Sequence, residues 1–395
     1  MLFIVSCCLF PVGDVSAAHV GMECHRCHRQ GGAGSDPAAS SGKAAGCVGC
    51  HPGREKIFEH AMAKRSGEKQ FVERSYGRVD SGFWEKNCDS CHVTGCRDCH
   101  SEAGLAKPSV VACQRCHNGY FIGWDYSGRA PREDNMRYQR GSAVNGATFL
   151  KMLPDVHYLA GMACGACHSM DSLAQGKKSS KVCRDCHRPD MTILEHRIPA
   201  HLQRLECYAC HAAWGAQEYG TFFLRFRDRS VKNEFDLVPL SNGEYLRSAY
   251  LKKQDAPPLG INGRGLVSPI RPQFISYYTD IMSARNNGPE NVLLAAEWRA
   301  YFPHTIRRGC VTCEGCHDNP TRFLLEPEPR RVYDLAKDGM GLESFWSQKG
   351  QRIVNGSFMD AARYLRMGGK STEYKKAYLQ KWKKLLNRVE NSSSP

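Results

Sequence analysis

Beyond residue 317 the chain has neither cysteine nor histidine. Any metal or redox chemistry those side chains carry is therefore confined to the residues before it. Long apolar runs are missing as well. After residue 18 no stretch approaches the roughly 20 apolar residues of a bilayer-spanning helix. Strong hydrophobicity is also lacking. Mean hydropathy is −0.49 and 37 residues are glycine, a poor supply for the two or more apolar cores that 395 residues would ordinarily form. Histidine is scarce, at 16 residues, and only Cys7, Cys8 and Cys310 of the 21 cysteines stand outside one repeated pattern.

That pattern is C-x-x-C-H. Its densest occurrence is Cys88-Asp-Ser-Cys91-His92-Val-Thr-Gly-Cys96-Arg-Asp-Cys99-His100, two units separated by three residues. The unit occurs nine times. Its cysteine pairs are Cys24 with Cys27, Cys47 with Cys50, Cys88 with Cys91, Cys96 with Cys99, Cys113 with Cys116, Cys164 with Cys167, Cys183 with Cys186, Cys207 with Cys210 and Cys313 with Cys316. The attached histidines are His28, His51, His92, His100, His117, His168, His187, His211 and His317. C-x-x-C-H is the pattern of covalent c-type haem attachment. On one helical turn, residues i and i+3 share a face, so two thiols reach the two vinyl groups of one porphyrin and the next histidine meets the iron. Zinc knuckles need cysteine pairs but place no demand on the residue after the second. A disulfide framework would likewise leave nine adjacent histidines without a reason.

With these motifs spread over residues 24–317, the chain resembles the multihaem c-type cytochromes, here with nine haem c groups. A second likeness is narrower. The run Cys113-Gln-Arg-Cys-His-Asn-Gly-Tyr-Phe-Ile-Gly-Trp-Asp-Tyr-Ser-Gly-Arg-Ala-Pro, followed by Met152-Leu-Pro-Asp-Val-His157, is similar to periplasmic cytochromes encoded in selenite/tellurite-reduction operons, and implies a respiratory setting. The expected fold is mainly α with long irregular loops, organised around a haem stack, with a small insertion containing a β-hairpin. The net charge of +14 does not imply nucleic acid, because nine haems with their propionates would bring about −9 when oxidised or about −18 when reduced.

Residues 1–18 read as an export signal, with cleavage at Val15-Ser16-Ala17 or Ser16-Ala17-Ala18. A basic leader is missing, which points to a start upstream of Met1. Ile4-Val-Ser-Cys7 is the alternative, a lipoprotein signal. Either way the expectation is a periplasmic or otherwise exported protein. Residues 19–117 form a five-motif region, in which residues 55–65 read as a short helix carrying His60. Residues 118–211 hold three motifs after a motif-free lead-in, where Trp124, Tyr126 and Tyr138 read as haem-packing aromatics. The lead-in ends at His157-Tyr-Leu-Ala-Gly-Met-Ala-Cys164, an echo of His19-Val-Gly-Met-Glu-Cys24 that suggests a duplicated module. Residues 212–312 are the motif-poor insertion. There Phe222–Arg227 reads as a strand, and 235–240 with 244–250 as a hairpin around Asn242-Gly243. Residues 257–265 read as a loop, and Pro289 to Phe302 as a helix stopped by Pro303. Residues 313–395 hold the last motif and a tail whose end is an amphipathic helix. One face of it carries Tyr374, Tyr378, Trp382, Leu385 and Val389, with Lys375, Lys376, Lys383, Lys384 and Arg388 largely elsewhere. The expectation is a packed helix with a solvated basic face.

Nine motif histidines leave seven others, His19, His25, His60, His157, His196, His201 and His304, as candidate distal ligands of haem iron. Bis-histidine haems are low in potential and saturated, suited to passing electrons. At least two haems lack a histidine partner. Met22, Met62, Met136, Met152 and Met162, a histidine from another chain, the Cys310 thiolate, or an open catalytic iron are the alternatives.

The expected role is a periplasmic electron carrier in anaerobic respiration, between a quinol-oxidising membrane complex and a terminal reductase or outer-membrane conduit. Two other roles stay open. One is a terminal reductase of a small oxyanion (nitrite, tetrathionate, sulfite, selenite or tellurite), with Arg225, Arg227 and Arg229 able to clamp an anion or pair with propionates. The other is the subunit of a haem filament. Against the reductase, no C-x-x-C-Lys unit is present, and ammonia-forming nitrite reductases and octahaem tetrathionate reductases use that lysine at the catalytic haem.

Overall fold

The computed structural model describes residues 51–89, 92–100, 107–114, 116–117, 125–127, 139–144, 147–151, 155–177, 179–227, 243–283, 286–327 and 353–392. The export signal, His19, His25, His28, Arg229 and the side chains of Trp124, Tyr126 and Tyr138 lie outside the described residues. So do five motif cysteines, Cys24, Cys27, Cys47, Cys50 and Cys91. The described parts fall into two compact units. One draws on residues 1–70, 88–118 and 162–185, the other on residues 71–87, 119–161 and 186–395.

The first unit is built of helical turns. Arg54–Glu59 is a 3-10 helix and Ala61–Lys64 an α-helical turn, and His60 sits between them as an extended residue. Arg65 ends that turn in the left-handed region, at φ 44°, and its guanidinium donates to the Cys88 carbonyl at 2.6 Å. The Val93 N–H donates to the Met62 carbonyl at 3.0 Å. Single cross-links of this kind, rather than a layer of buried apolar side chains, tie the turns together.

The second unit holds two sheets. Strands β1 (Asp125–Ser127), β2 (Gln139–Val144) and β3 (Ala147–Lys151) make a small antiparallel sheet in the order β1-β3-β2. The larger sheet uses β4 (Trp214–Phe226), β5 (Tyr245–Asp255), β6 (Leu259–Asn262), β7 (Val267–Ser283), β8 (Asn286–Asn287), β9 (Val292–Ala300), β10 (Ile353–Val354) and β11 (Gly356–Ser357). Its central order is β10-β9-β7-β4-β5, with β7 and β4 parallel and β9 antiparallel to β7. At 17 residues β7 first pairs with β6 and then with β9 and β4. The register slips between Pro272 and Phe274, because proline cannot donate to a ladder and is tolerated at a bulge. Ile270, Ile275, Tyr277, Leu293, Trp298 and Ile353 form the core on this sheet. A second cluster joins Phe226, Leu246 and Ile281.

Two local expectations are corrected. Residues 292–300 are a strand, not part of a helix. Val292, Leu293 and Ala296 satisfy helical spacing, but Leu293, Ala295 and Glu297 are buried in the alternation of a strand, followed by the buried Trp298, and a short apolar run fits both periods. Residues 259–262 are a strand rather than loop, and the turn that follows places Gly265 at φ +77°. β5 pairs with β4, from Arg225 opposite Tyr245 to Trp214 opposite Asp255; the first strand of the expected hairpin, residues 235–240, lies outside the described residues.

The segment Phe71–Asn87 packs on the larger sheet. Tyr76 stacks on Phe83 at 4.5 Å between ring centroids, and Phe83 meets Phe223 at 4.8 Å and Tyr245 at 5.1 Å. Beside these rings Asp80 accepts from Lys86 Nζ at 2.6 Å and from the Tyr245 hydroxyl at 2.6 Å. No helix among the described residues is long and apolar enough to cross a membrane.

Candidate haem-binding site

Six of the described motifs contain or abut one helical turn. They are Cys96–Asp98, Val110–Gln114 running into His117, Cys164–Ala166, Cys183–Cys186, Cys207–His211 and Glu314–His317. In four of them the histidine N–H donates to the carbonyl of the first cysteine, at 3.0 Å for His100 and His117, 2.9 Å for His168 and 2.8 Å for His317. That bond closes the turn that puts both cysteines on one side. The repeated C-R-D-C-H has a local cause. Asp98 accepts from the Thr94 and Gly95 N–H groups at 2.6 and 2.9 Å, and Asp185 from the Val182 N–H at 2.8 Å. Each aspartate satisfies donors that the start of its turn leaves open.

The thiols differ in how open they stand. Cys116 and Cys186, each the second cysteine of its motif, are exposed. Cys88, Cys96, Cys99, Cys113, Cys164, Cys167, Cys183, Cys207, Cys210, Cys313 and Cys316 are half-buried. The backbone at Cys167 is anchored from a distance, because its carbonyl accepts from the Ser180 N–H at 2.8 Å and from the Ser179 hydroxyl at 2.9 Å. The Cys116 N–H donates to the Cys113 carbonyl at 3.3 Å, and the Cys167 N–H to the Cys164 carbonyl at 3.2 Å. Both second cysteines are thereby held one turn from the first. None of the fourteen described cysteines is in a disulfide.

In the second unit three histidines outside the motifs face three motif histidines. Ring centroids are 5.8 Å apart for His157 and His187, 6.2 Å for His196 and His211, and 6.0 Å for His201 and His317, at interplanar angles of 64°, 46° and 27°. A metal bound by two imidazole nitrogens at about 2.0–2.1 Å each holds the ring centroids roughly 6 Å apart. The rings are also held in one tautomer. The Nδ1–H of His196 donates to the Asp190 carbonyl (3.0 Å), that of His201 to Glu195 (3.2 Å), that of His211 to Gly309 (3.2 Å) and that of His317 to Met367 (2.6 Å). His157 Nδ1 is bonded to Asp155 Oδ1 at 2.9 Å. A carbonyl only accepts, so in those four rings a proton sits on Nδ1, which leaves Nε2 as the nitrogen a metal would take. Burial, together with the neighbouring His317, pushes the His201 imidazole below its ordinary pKa and favours that neutral form.

Local sequence explains the placement. Pro199 occupies the first turn of the helix Pro199–Arg204, as its missing N–H permits, and so starts a new helix directly after Leu194–Arg197. His196 and His201 thus stand on consecutive turns. The turn Cys207–His211 is clamped from both sides. The Glu206 N–H donates to the Val267 carbonyl of β7 at 2.9 Å, and the Val311 N–H to the Cys210 carbonyl at 3.1 Å. Cys316 packs against the cluster of Ala209, Leu259, Phe323 and Tyr364.

In the first unit the attachment turns crowd one another. The Cys113 thiol is hydrogen-bonded to Cys164, which pushes Cys164 down to about 7 and Cys113 up. Cys99 is pushed up by burial and by Cys113. Burial and the nearby His168 push His117 below its ordinary value. His60 lies against Gly176, where an added Cβ would stand 2.9 Å from the ring. In the second unit His304, with φ 55°, is edge-on to Phe302 at 4.7 Å. Cys310 is exposed.

Two residues escaped sequence reasoning. Asp155 caps the helix Val156–Leu159 and also accepts from the Ile306 N–H at 2.6 Å, fixing His157 in place. An Asp two residues before a histidine is an N-cap signal and could have been read. Arg322 is 4% exposed, donates Nη2 to the Ala209 carbonyl at 2.7 Å, and has Nε and Nη1 buried without a hydrogen-bond partner among the described residues. Burial pushes the Cys210 and Cys316 thiols up, and the Arg322 charge acts against that rise in both. Nothing in its sequence context marks it. Of the three arginines open to an anion or a propionate, Arg225 is bonded to Glu244 at 2.5 Å and Arg227 to Asp280 at 2.8 Å, and Arg229 lies outside the described residues.

The donor set fits haem c. Thiols and imidazole Nε2 atoms are supplied together. Around the turns Val111, Leu159, Val182, Met191 and Ile193 are exposed apolar side chains, a surface that a porphyrin face would cover. Among the described residues no group of three or more His, Cys, Asp or Glu converges as a metal cage.

Comparison with known families agrees with this chemistry. Residues 104–188 match the family described as cytochrome c7 and related cytochrome c, a stretch that contains the motifs ending at His117, His168 and His187. This cytochrome c7-like region implies covalently bound haem c and transfer of electrons. No curated protein and no solved structure matches the chain.

Proposed function

We propose that the chain is an exported nonahaem c-type cytochrome that relays electrons in anaerobic respiration, from a quinol-oxidising membrane complex toward a terminal reductase or an outer-membrane conduit. Haem c supplies one-electron chemistry at iron. The protein's part is to bind, orient and insulate it. The observation that carries the reading is the set of three histidine pairs at 5.8–6.2 Å. His157, His196 and His201 are the distal ligands opposite His187, His211 and His317. Saturated iron passes electrons and leaves no position for substrate. The engagement of Arg225 and Arg227 with carboxylates favours this reading over an oxyanion reductase.

The test is EPR and magnetic circular dichroism of the oxidised holoprotein and of His196→Ala and His201→Ala. Each variant should convert one low-spin haem to high spin and make it bind cyanide. Unchanged spectra in both variants would remove the pairing. A wild-type high-spin signal that shifts on adding nitrite would move the reading to the reductase. Intact-protein mass spectrometry should show nine attached haems.

A further inference from the structure

The C-terminal helix, Ser371–Ser392, is covered along its first two turns and bare beyond them. Ser371 is buried. The Tyr374 ring lies 5.4 Å from His317 and 6.1 Å from His201, and the Tyr378 hydroxyl donates to Glu195. Further along, Leu379 and Trp382 are 61% exposed and Leu386 is 59% exposed. These three are spaced i, i+3 and i+7, which places them on one stripe, continuous with the face that Tyr374 and Tyr378 turn toward the protein. The helix outruns the surface that covers its apolar face.

The charge around the stripe limits what can cover it. Residues 375–389 contain six basic residues, Lys375, Lys376, Lys381, Lys383, Lys384 and Arg388, and no acidic one. Lys375 is paired with Glu314, and Lys381 donates to the Thr192 carbonyl at 3.0 Å. By helical angle Lys383 borders the stripe on one side, while Lys381 and Arg388 lie beyond Leu385 and Val389, at the far edge of the whole apolar face. A second copy laid on this stripe would bring basic side chain against basic side chain. An apolar strip of Trp and Leu, flanked by Lys and Arg on an otherwise polar helix, is the pattern that lies in the plane of a bilayer, with its apolar side among the acyl chains and its cations at anionic headgroups.

We infer that residues 379–389 dock this protein on an anionic phospholipid surface, holding the pairs of His201 with His317 and His196 with His211 at the membrane, where a quinol-oxidising complex releases electrons. The first two turns of the helix carry the geometry. They fasten the docking stripe to the helix pair bearing His196 and His201, so that end of the molecule is the one presented to the bilayer. The docking itself needs only the exposed stripe and its cations, and stands whether or not the electron-carrier reading does.

The test is flotation of the full holoprotein with vesicles of phosphatidylglycerol and phosphatidylcholine, and with phosphatidylcholine alone, at low and high salt. The expected result is recovery with the anionic vesicles only, decreasing with salt. The double variants Leu379→Gln with Leu386→Gln, and Lys383→Gln with Arg388→Gln, should each lower the partition coefficient about tenfold or more. Both change exposed side chains, and an unaltered haem spectrum verifies their folding. No flotation of the wild type overturns the proposal. Flotation untouched by the leucine variant also overturns it, because a purely electrostatic contact would then point to an acidic protein partner. A concentration-dependent dimer in ultracentrifugation that Trp382→Ser abolishes would assign the stripe to a second copy instead.

Discussion

Between residues 214 and 300 the larger sheet buries Trp214, Phe226, Tyr245, Leu246, Ile270, Ile275, Tyr277 and Trp298 almost completely. Between residues 156 and 208, Ala174 is the one apolar residue among those described to be buried, while Leu159, Val182 and Met191 are more than half exposed. The first segment has what a chain needs to fold in water, apolar area removed from solvent on a scale that offsets conformational entropy. The second has short turns, each below the length at which a helix is stable alone, with apolar side chains facing outward. On the haem reading, the segment between residues 156 and 208 is the part of the fold that a covalent apolar cofactor would complete, and the sheet is not.

The largest effect expected from this contrast is in the chain made without haem attachment. Its backbone amides in β7 and β9 should stay protected from hydrogen exchange, while those of residues 156–211 should exchange at nearly unprotected rates. In the holoprotein both sets should be protected. If β7 and β9 also lose protection without haem, the sheet is not an independent folding unit and the contrast fails.

A smaller effect sharpens it. Trp298→Ala opens a space in a fully buried cluster and should cost the sheet about 3–5 kcal/mol. Leu159→Ala, at an exposed site, should stay within about 0.5 kcal/mol in the haem-free chain. Denaturant unfolding followed by tryptophan emission of the haem-free protein measures both. Equal costs would mean that Leu159 is covered by protein rather than awaiting a porphyrin.

The same contrast explains what could be read in advance. The nine motifs were legible because each is a contiguous five-residue pattern, whatever the surrounding fold. How open each thiol stands was not, since Cys116 and Cys167 occupy the same place in their motifs and only Cys116 is exposed. The C-terminal helix was legible from its period, since Tyr374, Tyr378, Trp382 and Leu385 recur on one face over many turns. That its second half is bare was not legible, because exposure depends on where the rest of the chain ends. Residues 292–300 were misread because Val292, Leu293 and Ala296 fit two periods, and pairing with β7 decided between them. The seven histidines outside the motifs were legible as candidates, from composition. Which motif histidine each faces depends on contacts such as Asp155 with Ile306, 151 residues apart, which no local pattern encodes.

Arg322 stands where the two kinds of region meet, on the Ala209–Phe323 cluster below the sheet and beside Cys210 and Cys316. Its role in packing and its role as a charge can be separated. A buried cation favours the reduced state of a nearby redox centre, since reduction removes a positive charge. At an effective dielectric of about 20 and a distance of roughly 8–16 Å, the preference amounts to about 1–2 kcal/mol. Arg322→Met should therefore lower the potential of the haems attached at Cys210 and Cys316 by several tens of millivolts, while Arg322→Lys keeps most of it. Spectroelectrochemical titration of the two variants decides the matter. If Arg322→Lys and Arg322→Met shift the potential equally, the residue acts through the Ala209 carbonyl and the packing around it, and belongs with the sheet. If only the neutral variant shifts it, the residue belongs with the cofactors, as a fixed charge that sets which haems take up electrons first.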